Sequence, residues 1–297
     1  MKINDFDIYS TLLKKRSGLT LTPDKSYLLE SRLTPIAKKW GLESLDALTL
    51  KLQSAPEEAL LNDIMEAMTT NETSFFRDTR PFDLFRDDVL PIIQERRAVQ
   101  KNLKIWCAAA SSGQEPYSLA MILKELESTK FAGWRAQIKA TDISKEIIDQ
   151  AKKATYSQFE VQRGLPIQML MKYFTQEEEK WRLKDDIRNM IEFGLFNLLE
   201  SMAGLGTFDI IFCRNVLIYF DEATKADVLA RMQKVLAPDG YLFLGGAETV
   251  LGITDAFAPV PDRRGLYAPK GSADLIRDTQ KTAASAAAPI ASAPISS

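Results

Sequence analysis

The hydrophobic pattern of the chain changes between about residue 75 and about residue 100. Before that point, apolar side chains recur at three- and four-residue spacing, as at Leu29, Leu33, Ile36 and Trp40, which predicts amphipathic helices. After it, short apolar runs alternate with amphipathic segments. Such alternation predicts an α/β fold with a mainly parallel sheet that helices cover on both faces.

Local signals indicate where the N-terminal helices begin and end. Thr22-Pro23 is typical of a helix start, because a capping side chain is followed by proline at the first helical position. Gly41 suits the end of that helix, and Pro35 inside it should produce a kink. We expect a further helix around Ala55–Met68.

In the second region, the predicted strands are Leu103–Ala109, Gln137–Thr141, Met190–Phe193, Phe208–Cys213, Tyr241–Leu244 and Leu266–Ala268. The predicted helices are Pro116–Glu127, Lys145–Ala154, Pro166–Phe174 and Glu222–Leu236. Ala-Pro-Asp-Gly at 237–240 predicts a turn from the last helix into the next strand.

These patterns predict three parts of the chain. Residues 1–75 form a helical domain, and residues 76–270 form an α/β domain with an insert at about 155–190. The insert carries a charged run, TQEEEKWRLKDDIRN, which predicts a small polar hairpin. Residues 271–297 are rich in Ala, Ser and Pro and are expected to be disordered.

Composition narrows the classes of function. The chain is 45% apolar and 26% charged, with a net charge of −2, so no overall field favours nucleic acid or an anionic membrane. No apolar run approaches the roughly 18 residues of a spanning helix. The beginning MKINDFDIYS has acidic residues where a signal peptide has basic ones. We therefore predict a cytoplasmic protein.

Histidine is missing from the sequence, which excludes histidine-based triads, proton shuttles and metal ligands. Cys107 and Cys213 lie in strand-like runs and are expected to be buried, reduced thiols. Without a CxxC motif, a structural zinc site is not expected. These features favour a reaction whose nucleophile is already ionised at neutral pH.

The first two strands of the α/β region carry the features of a ligand site. Ala108–Gly113 cover the end of the first strand and the residues after it, and their small side chains allow the backbone to approach a ligand. Pro116 begins a helix whose N-terminal N–H groups face the same crevice. Asp142 ends the second strand, where an acid can bind ribose hydroxyls, or it caps the next helix. No GxGxxG is present, which disfavours a dinucleotide.

Five segments resemble the CheR family of chemotaxis receptor methyltransferases. They are NETSFFRD (71–78), WCAAASSGQEPYSLAM (106–121), ATDIS (140–144), FNLLE (196–200) and FDIIFCRNVLIYFD (208–221). The resemblance covers about residues 5–270 in the same order. It implies the Rossmann-like fold of class I S-adenosylmethionine (SAM)-dependent methyltransferases, with a helical N-terminal domain and a small β-subdomain insert. It also implies SAM as methyl donor, S-adenosyl-L-homocysteine as product, no metal, and receptor glutamate as acceptor.

Matching motifs assign the site residues. The resemblance implies that the cofactor is bound by Asn71, Thr73, Arg77, Glu115, Asp142, Asn197, Leu198, Arg214 and Asn215. Arg77 and Tyr219 are the implied catalytic residues. Alternatives remain open for Glu115 as a first-turn acid, for Arg214 as a structural ion pair and for Tyr219 as core.

Phe75 and Phe76 are expected to be packing residues. Where family members often have Gly-His-Ser-Glu, this chain has Gly-Gly-Ala-Glu at 245–248.

The implied reaction suits a chain without histidine. A glutamate side chain has an unperturbed pKa of about 4.3, so at neutral pH it is a carboxylate that needs no general base. The positive sulfonium and the negative carboxylate both lose their charge during transfer, which favours a site without water. Well-oriented groups reach effective molarities of about 10⁵–10⁸ M, so alignment can supply most of the rate. We expect Arg77 to hold the acceptor carboxylate by charge-assisted hydrogen bonds.

A basic stretch is the expected docking surface for the receptor. Residues 14–39 carry seven basic and two acidic side chains, whereas residues 1–75 carry nine basic and eleven acidic ones. Lys25, Arg32 and Lys39 are seven residues apart and should share one helical stripe that docks on a receptor helical bundle. The alternative is a solvated basic face. The short insert predicts an enzyme that does not depend on a receptor C-terminal pentapeptide, and we expect a monomer without direct membrane insertion.

Two alternative functions agree less well with the sequence. A SAM-dependent methyltransferase with another acceptor, such as nucleic acid or a small molecule, is disfavoured by the negative net charge and by the lack of an Asn-Pro-Pro-Tyr-like motif. A non-catalytic SAM-binding scaffold is disfavoured by the intact pocket motifs.

Overall fold

The computed structural model describes residues 3–272, and the predicted disordered tail lies outside the described residues from residue 273 on. Four helices of this part form the N-terminal region, namely α1 (Ile3–Ser17), α2 (Ser26–Lys39), α3 (Leu45–Ser54) and α4 (Glu58–Met68). Their apolar faces form one cluster that includes Tyr9, Leu29, Leu48 and Ile64, all fully buried. The predicted helical region is therefore confirmed.

Two details of α2 differ from the prediction. Thr22-Pro23 begins a short 3₁₀ turn, Pro23–Lys25, and α2 itself starts only at Ser26. The helix runs through Pro35 to Lys39 without interruption. Gly41 then ends it with φ +68°, a left-handed conformation that suits glycine, as predicted.

A helical connection leads from the N-terminal region into the sheet. It consists of α5 (Arg80–Leu84), a π-helical turn (Phe85–Val89) and α6 (Leu90–Arg96). Phe82, Phe85 and Leu90 are buried there and pack against the sheet core. Phe75 and Phe76, in the segment that precedes this connection, belong to the same core cluster as residues of the sheet.

In the described residues, a seven-stranded sheet has the order β6-β2-β1-β7-β8-β10-β9. Its strands are β1 (Asn102–Cys107), β2 (Arg135–Asp142), β6 (Ile191–Leu195), β7 (Phe208–Cys213), β8 (Leu236–Leu244), β9 (Phe257–Pro259) and β10 (Leu266–Pro269). The neighbours from β6 to β8 pair in parallel, and β10 and β9 add antiparallel strands. The strand order reverses between β1 and β7, where α/β folds bind ligands.

Helices cover both faces of the sheet. They are α7 (Gln114–Glu127), α8 (Lys145–Lys153) and α12 (Glu222–Val235), with α6. Along β1, Ile105 and Cys107 belong to one core cluster, whereas Trp106 belongs to the other, as the alternation of side chains in a strand requires. Cys107 and Cys213 are both buried free thiols, as predicted. Between residues 3 and 272, no helix has the length and apolar character needed to cross a bilayer.

The insert forms a second sheet of three strands within the described chain, in the order β3-β5-β4. Its elements are β3 (Thr155–Ser157), α9 (Gln158–Gln162), α10 (Ile167–Tyr173), β4 (Phe174–Glu177), β5 (Lys180–Leu183) and α11 (Asp185–Arg188). The predicted polar hairpin is β4 and β5, and the expected α/β fold with a small β-subdomain is confirmed.

Some predicted boundaries were wrong; the helix expected around Ala55–Met68, for example, begins only at Glu58. Residues 237–240 do not form a separate turn, because β8 begins at Leu236 and contains them. Their extra length is absorbed as an irregularity, since Phe208 pairs with Leu236 but Ile210 pairs with Tyr241. The helix expected to begin at Pro116 begins at Gln114, after Gly113 with φ +96°, so Glu115 lies in its first turn.

Candidate functional site

A cavity of about 990 Å³, including its part open to solvent, lies at the carboxyl ends of the parallel strands. Its floor comes from residues that follow β1, β2, β6 and β7, and its roof from Ser17, Leu19 and residues 69–73. All of the predicted cofactor-binding and catalytic residues line it, namely Asn71, Thr73, Arg77, Glu115, Asp142, Asn197, Leu198, Arg214, Asn215 and Tyr219.

Asp142 presents a buried carboxylate at the end of β2. Its Oδ2 accepts from Ser111 N at 2.9 Å and its Oδ1 from Ser144 N at 3.1 Å. Burial raises its pKa, while the N–H donors act in the opposite direction. The side chain that caps α8 is that of Ser144, which accepts from Ile147 N, so Asp142 is not the cap of that helix.

Arg214 is the central cation of the site, with a side chain only 2% exposed. It pairs with Glu115 at 2.9 Å and with Asp78 at 2.8 Å, and it donates to Arg77 O at 2.9 Å. Burial raises the pKa of Glu115, and the charge of Arg214 opposes that shift. Arg214 is thus both an ion-pair residue and a pocket residue.

The segment that carries Arg77 has an unusual backbone. Phe76, Asp78 and Thr79 have φ values of +49°, +68° and +49°, which cost about 1–3 kcal/mol each for non-glycine residues. Phe76 N donates to Ser118 Oγ at 3.0 Å, and Arg214 holds Asp78, so tertiary contacts maintain this conformation. Arg77 itself is partly exposed and donates from Nη1 to Glu72 O at 2.7 Å.

Phe75 and Phe76 are buried in the core cluster, in contact with aromatic rings of Tyr156, Phe174 and Phe82. Neither is among the residues that line the cavity. The prediction that they are packing residues agrees with these contacts.

The N-terminal region is joined to the far side of the pocket. Asn197 Nδ2 donates to Arg16 O at 2.6 Å, and Thr20 N donates to Tyr219 O at 2.8 Å. Sequence reasoning missed this contribution of the loop after α1. The glycine at position 18 is a sequence feature that could have indicated this contact. Its φ is +77°, and a Cβ there would lie 3.0 Å from the ring of Phe220.

Two of the three cations of the predicted basic stripe are exposed, and the third turns inward. Lys25 is exposed, and Lys39 is exposed but paired with Asp63 at 2.8 Å. Arg32 turns inward, where Nη1 donates to Met68 O at 2.9 Å and to Thr69 O at 3.0 Å. Arg32 therefore contacts the end of α4, and the docking role of Lys25, Arg32 and Lys39 stays a prediction.

The residues present fit an adenosyl cofactor. The Asp142 carboxylate has about four acceptor positions, and the backbone N–H groups of Ser111, Ile143 and Ser144 act on it, so acceptor capacity remains for a hydroxyl group. Arg214 Nε is buried and has no hydrogen-bond partner within residues 3–272, which leaves a donor for a ligand atom. Ala108 and Ala109 let a ligand lie close to the backbone at the end of β1.

Comparison with known proteins agrees with this geometry. The family model for the CheR methyltransferase SAM-binding domain matches residues 71–266, and that for the CheR methyltransferase all-alpha domain matches residues 4–69. The chemotaxis protein methyltransferase Cher2 of Pseudomonas putida is 41% identical over 265 residues, which are 88% of this chain and 96% of that protein. The chemotaxis protein methyltransferase of Salmonella typhimurium is 33% identical over 253 residues, 83% and 84% of the two chains. The chain therefore belongs to the CheR methyltransferase family.

Proposed function

We propose that the protein transfers a methyl group from SAM to glutamate side chains of chemoreceptors and so forms glutamate methyl esters. The observation that carries this proposal is the cavity at the strand-order reversal, where the buried carboxylates of Glu115 and Asp142 meet the guanidinium groups of Arg77 and Arg214. Family membership supports the same conclusion.

In this proposal, SAM supplies an activated methyl group on a positively charged sulfur. Asp142 accepts the ribose hydroxyls with the lone pairs that Ser111 and Ser144 leave unused. Asn197 and Leu198, which line the same cavity, would flank the adenine. Glu115 would bind the ammonium group of the amino-acid moiety of SAM. Arg214 Nε would donate to an acceptor atom of the same ligand.

Arg77 receives the acceptor carboxylate. Its guanidinium has five N–H donors, and its bond to Glu72 O leaves others for a substrate. Its partial exposure also means that it does not neutralise the nucleophile as a fully buried cation would. Tyr219, partly buried at the same cavity, orients the acceptor or the methyl donor.

Exclusion of water is the second contribution of the site. Leu19, Phe196, Val216 and Phe220 line the cavity together with the charged groups. Opposite charges disappear when the carboxylate is methylated, so an environment less polar than water favours the transition state over the separated ions.

For receptor docking we propose the exposed face of α2 around Lys25 and Lys39, with Arg32 supporting the end of α4 behind it. We further propose a cytoplasmic monomer that needs no receptor C-terminal pentapeptide. The two-residue connection between β4 and β5, Glu178-Glu179, is short and acidic and supports this view. Calorimetric titration with such peptides tests it, and tight binding would contradict it.

The decisive experiment for the function uses radiolabelled SAM and receptor-containing membranes. We expect label on the receptors that base releases as methanol, because esters hydrolyse and N-methyl groups do not. Labelling of nucleic acid, base-stable label, or the absence of any affinity for SAM and S-adenosyl-L-homocysteine would refute the proposal.

A further inference from the structure

Glu248 has a buried carboxylate, 8% exposed, that gathers backbone N–H groups from two loops. Its Oε2 accepts from Gly245 N at 2.6 Å and from Asn215 N at 2.8 Å. Its Oε1 accepts from Val216 N at 3.0 Å and from Ile218 N at 3.3 Å. Both oxygens are therefore occupied by donors, and the side chain joins the loop after β8 to the loop after β7.

The loop after β7 carries a large part of the pocket. Arg214, Asn215, Val216 and Tyr219 all line the cavity, whereas Glu248 does not. Asn215 has φ +58°, a conformation that favours glycine, and the N–H groups that follow it have no strand partner. The carboxylate supplies the acceptors that this backbone requires, so it determines where Asn215 and Tyr219 lie.

Gly245 is required for the contact between these two loops for a steric reason. A Cβ at this position would lie 2.7 Å from Glu248 Oε2 and 2.9 Å from Asn215 Nδ2, closer than side-chain atoms approach. A Cβ at the neighbouring Gly246 would meet no atom within 4 Å of the described chain. Of the two glycines, Gly245 is the one that the contact with Glu248 requires.

We propose that Glu248 is a positioning residue for methyl transfer, acting through the backbone of residues 215–218 on Asn215 and Tyr219. This inference rests on the proposed function. The carboxylate is specifically required, because a glutamine would place an NH₂ group against two N–H donors while keeping the same shape. A misplacement of about 1 Å at a reacting centre costs about 10²-fold in rate.

The first test compares Glu248→Gln with Asp255→Asn, a matched control on the same loop whose side chain is 99% exposed. We expect Glu248→Gln to lower kcat by about 10²-fold at saturating SAM and receptor, with little change in the receptor KM, because docking on α2 is remote from this loop. In the ligand-free protein, amide hydrogen exchange at Asn215, Val216 and Ile218 should accelerate. The control should change neither quantity. An unchanged kcat together with unchanged exchange would overturn the inference.

A second pair keeps the test decisive if Glu248→Gln fails to fold. Gly245→Ala introduces a steric clash with Glu248 and Asn215, and Gly246→Ala, which introduces none, is its control. We expect kcat to fall at least about 10-fold in Gly245→Ala and to stay unchanged in Gly246→Ala. Equal kcat in the two alanine variants would contradict the positioning role. Failure of the proposed function itself is distinguishable, because the wild-type protein would then label no receptor.

Discussion

Replacing Arg32 by alanine separates a supporting role from a docking role. The guanidinium donates to Met68 O, Thr69 O and Thr70 Oγ1 at 2.9, 3.0 and 3.2 Å. The two carbonyls lie at the end of α4, where helical C=O groups lack intrahelical partners. Thr69 and Thr70 also line the cavity, so Arg32 holds part of the pocket roof.

The magnitude follows from these three bonds. Hydrogen bonds to charged groups contribute about 1.5–3 kcal/mol each when buried. Arg32 is only half-buried, its bonds share one charge, and water can reach the carbonyls after truncation. We therefore expect the free energy of unfolding to fall by about 1–2 kcal/mol in total, including a helix-terminus contribution of about 0.3–1 kcal/mol. At about 2–4 °C per kcal/mol, Tm falls by roughly 2–8 °C.

The assay measures Tm, S-adenosyl-L-homocysteine affinity by calorimetry and receptor methylation in parallel. We expect Arg32→Ala to weaken cofactor binding about 10-fold, or about 1.4 kcal/mol, because the roof segment loses its anchor. Lys25→Ala, in the exposed 3₁₀ turn that precedes α2, should lower receptor methylation while Tm and cofactor affinity stay unchanged. If Arg32→Ala behaves like Lys25→Ala in all three measurements, the supporting role is refuted and Arg32 belongs to the docking surface.

Three further predictions concern the charged groups of the pocket. Arg214→Met should destabilise the protein by about 3–5 kcal/mol, because Glu115 becomes a buried carboxylate without its cation; adding Glu115→Gln should restore part of the loss in denaturant titrations, and no recovery would contradict the pairing. Cofactor affinity should fall on acidification, because binding needs the ionised form of Asp142. The fall should begin at a higher pH than for an ordinary aspartate, whose pKa is about 3.9, because burial raises the pKa of Asp142. Calorimetry between neutral pH and about pH 4 measures this dependence, and Asp142→Asn should remove it. Arg77→Ala should lower receptor kcat/KM by at least about 10²-fold with cofactor affinity retained, since it removes charge-assisted bonds to the acceptor; a loss of cofactor affinity alone would instead make Arg77 a cofactor-binding residue.

Much of the architecture could be predicted from local patterns. The periodicity of Leu29, Leu33 and Ile36 indicates which face of a helix is buried, whatever it packs against. The apolar run Phe208–Cys213 was predicted with the bounds that the structure has. Because parallel strands end at one edge of a sheet, residues that follow different strands were expected to meet there. The sequence alone therefore determined the fold class and most of the pocket floor, with the resemblance to a family naming the individual residues.

Tertiary structure alone decided the contacts between segments that are distant in the chain. Nothing near Arg32 indicates that its guanidinium reaches residues 68–70, and a basic residue at helical spacing is equally typical of an exposed stripe. Likewise, Glu248 follows a strand like any loop acid, yet it accepts N–H groups from residues about 30 positions away. Local periodicity indicates which face of an element is buried, but it does not indicate which residues that face contacts. Which donor meets which acceptor depends on how the helical region and the sheet pack together.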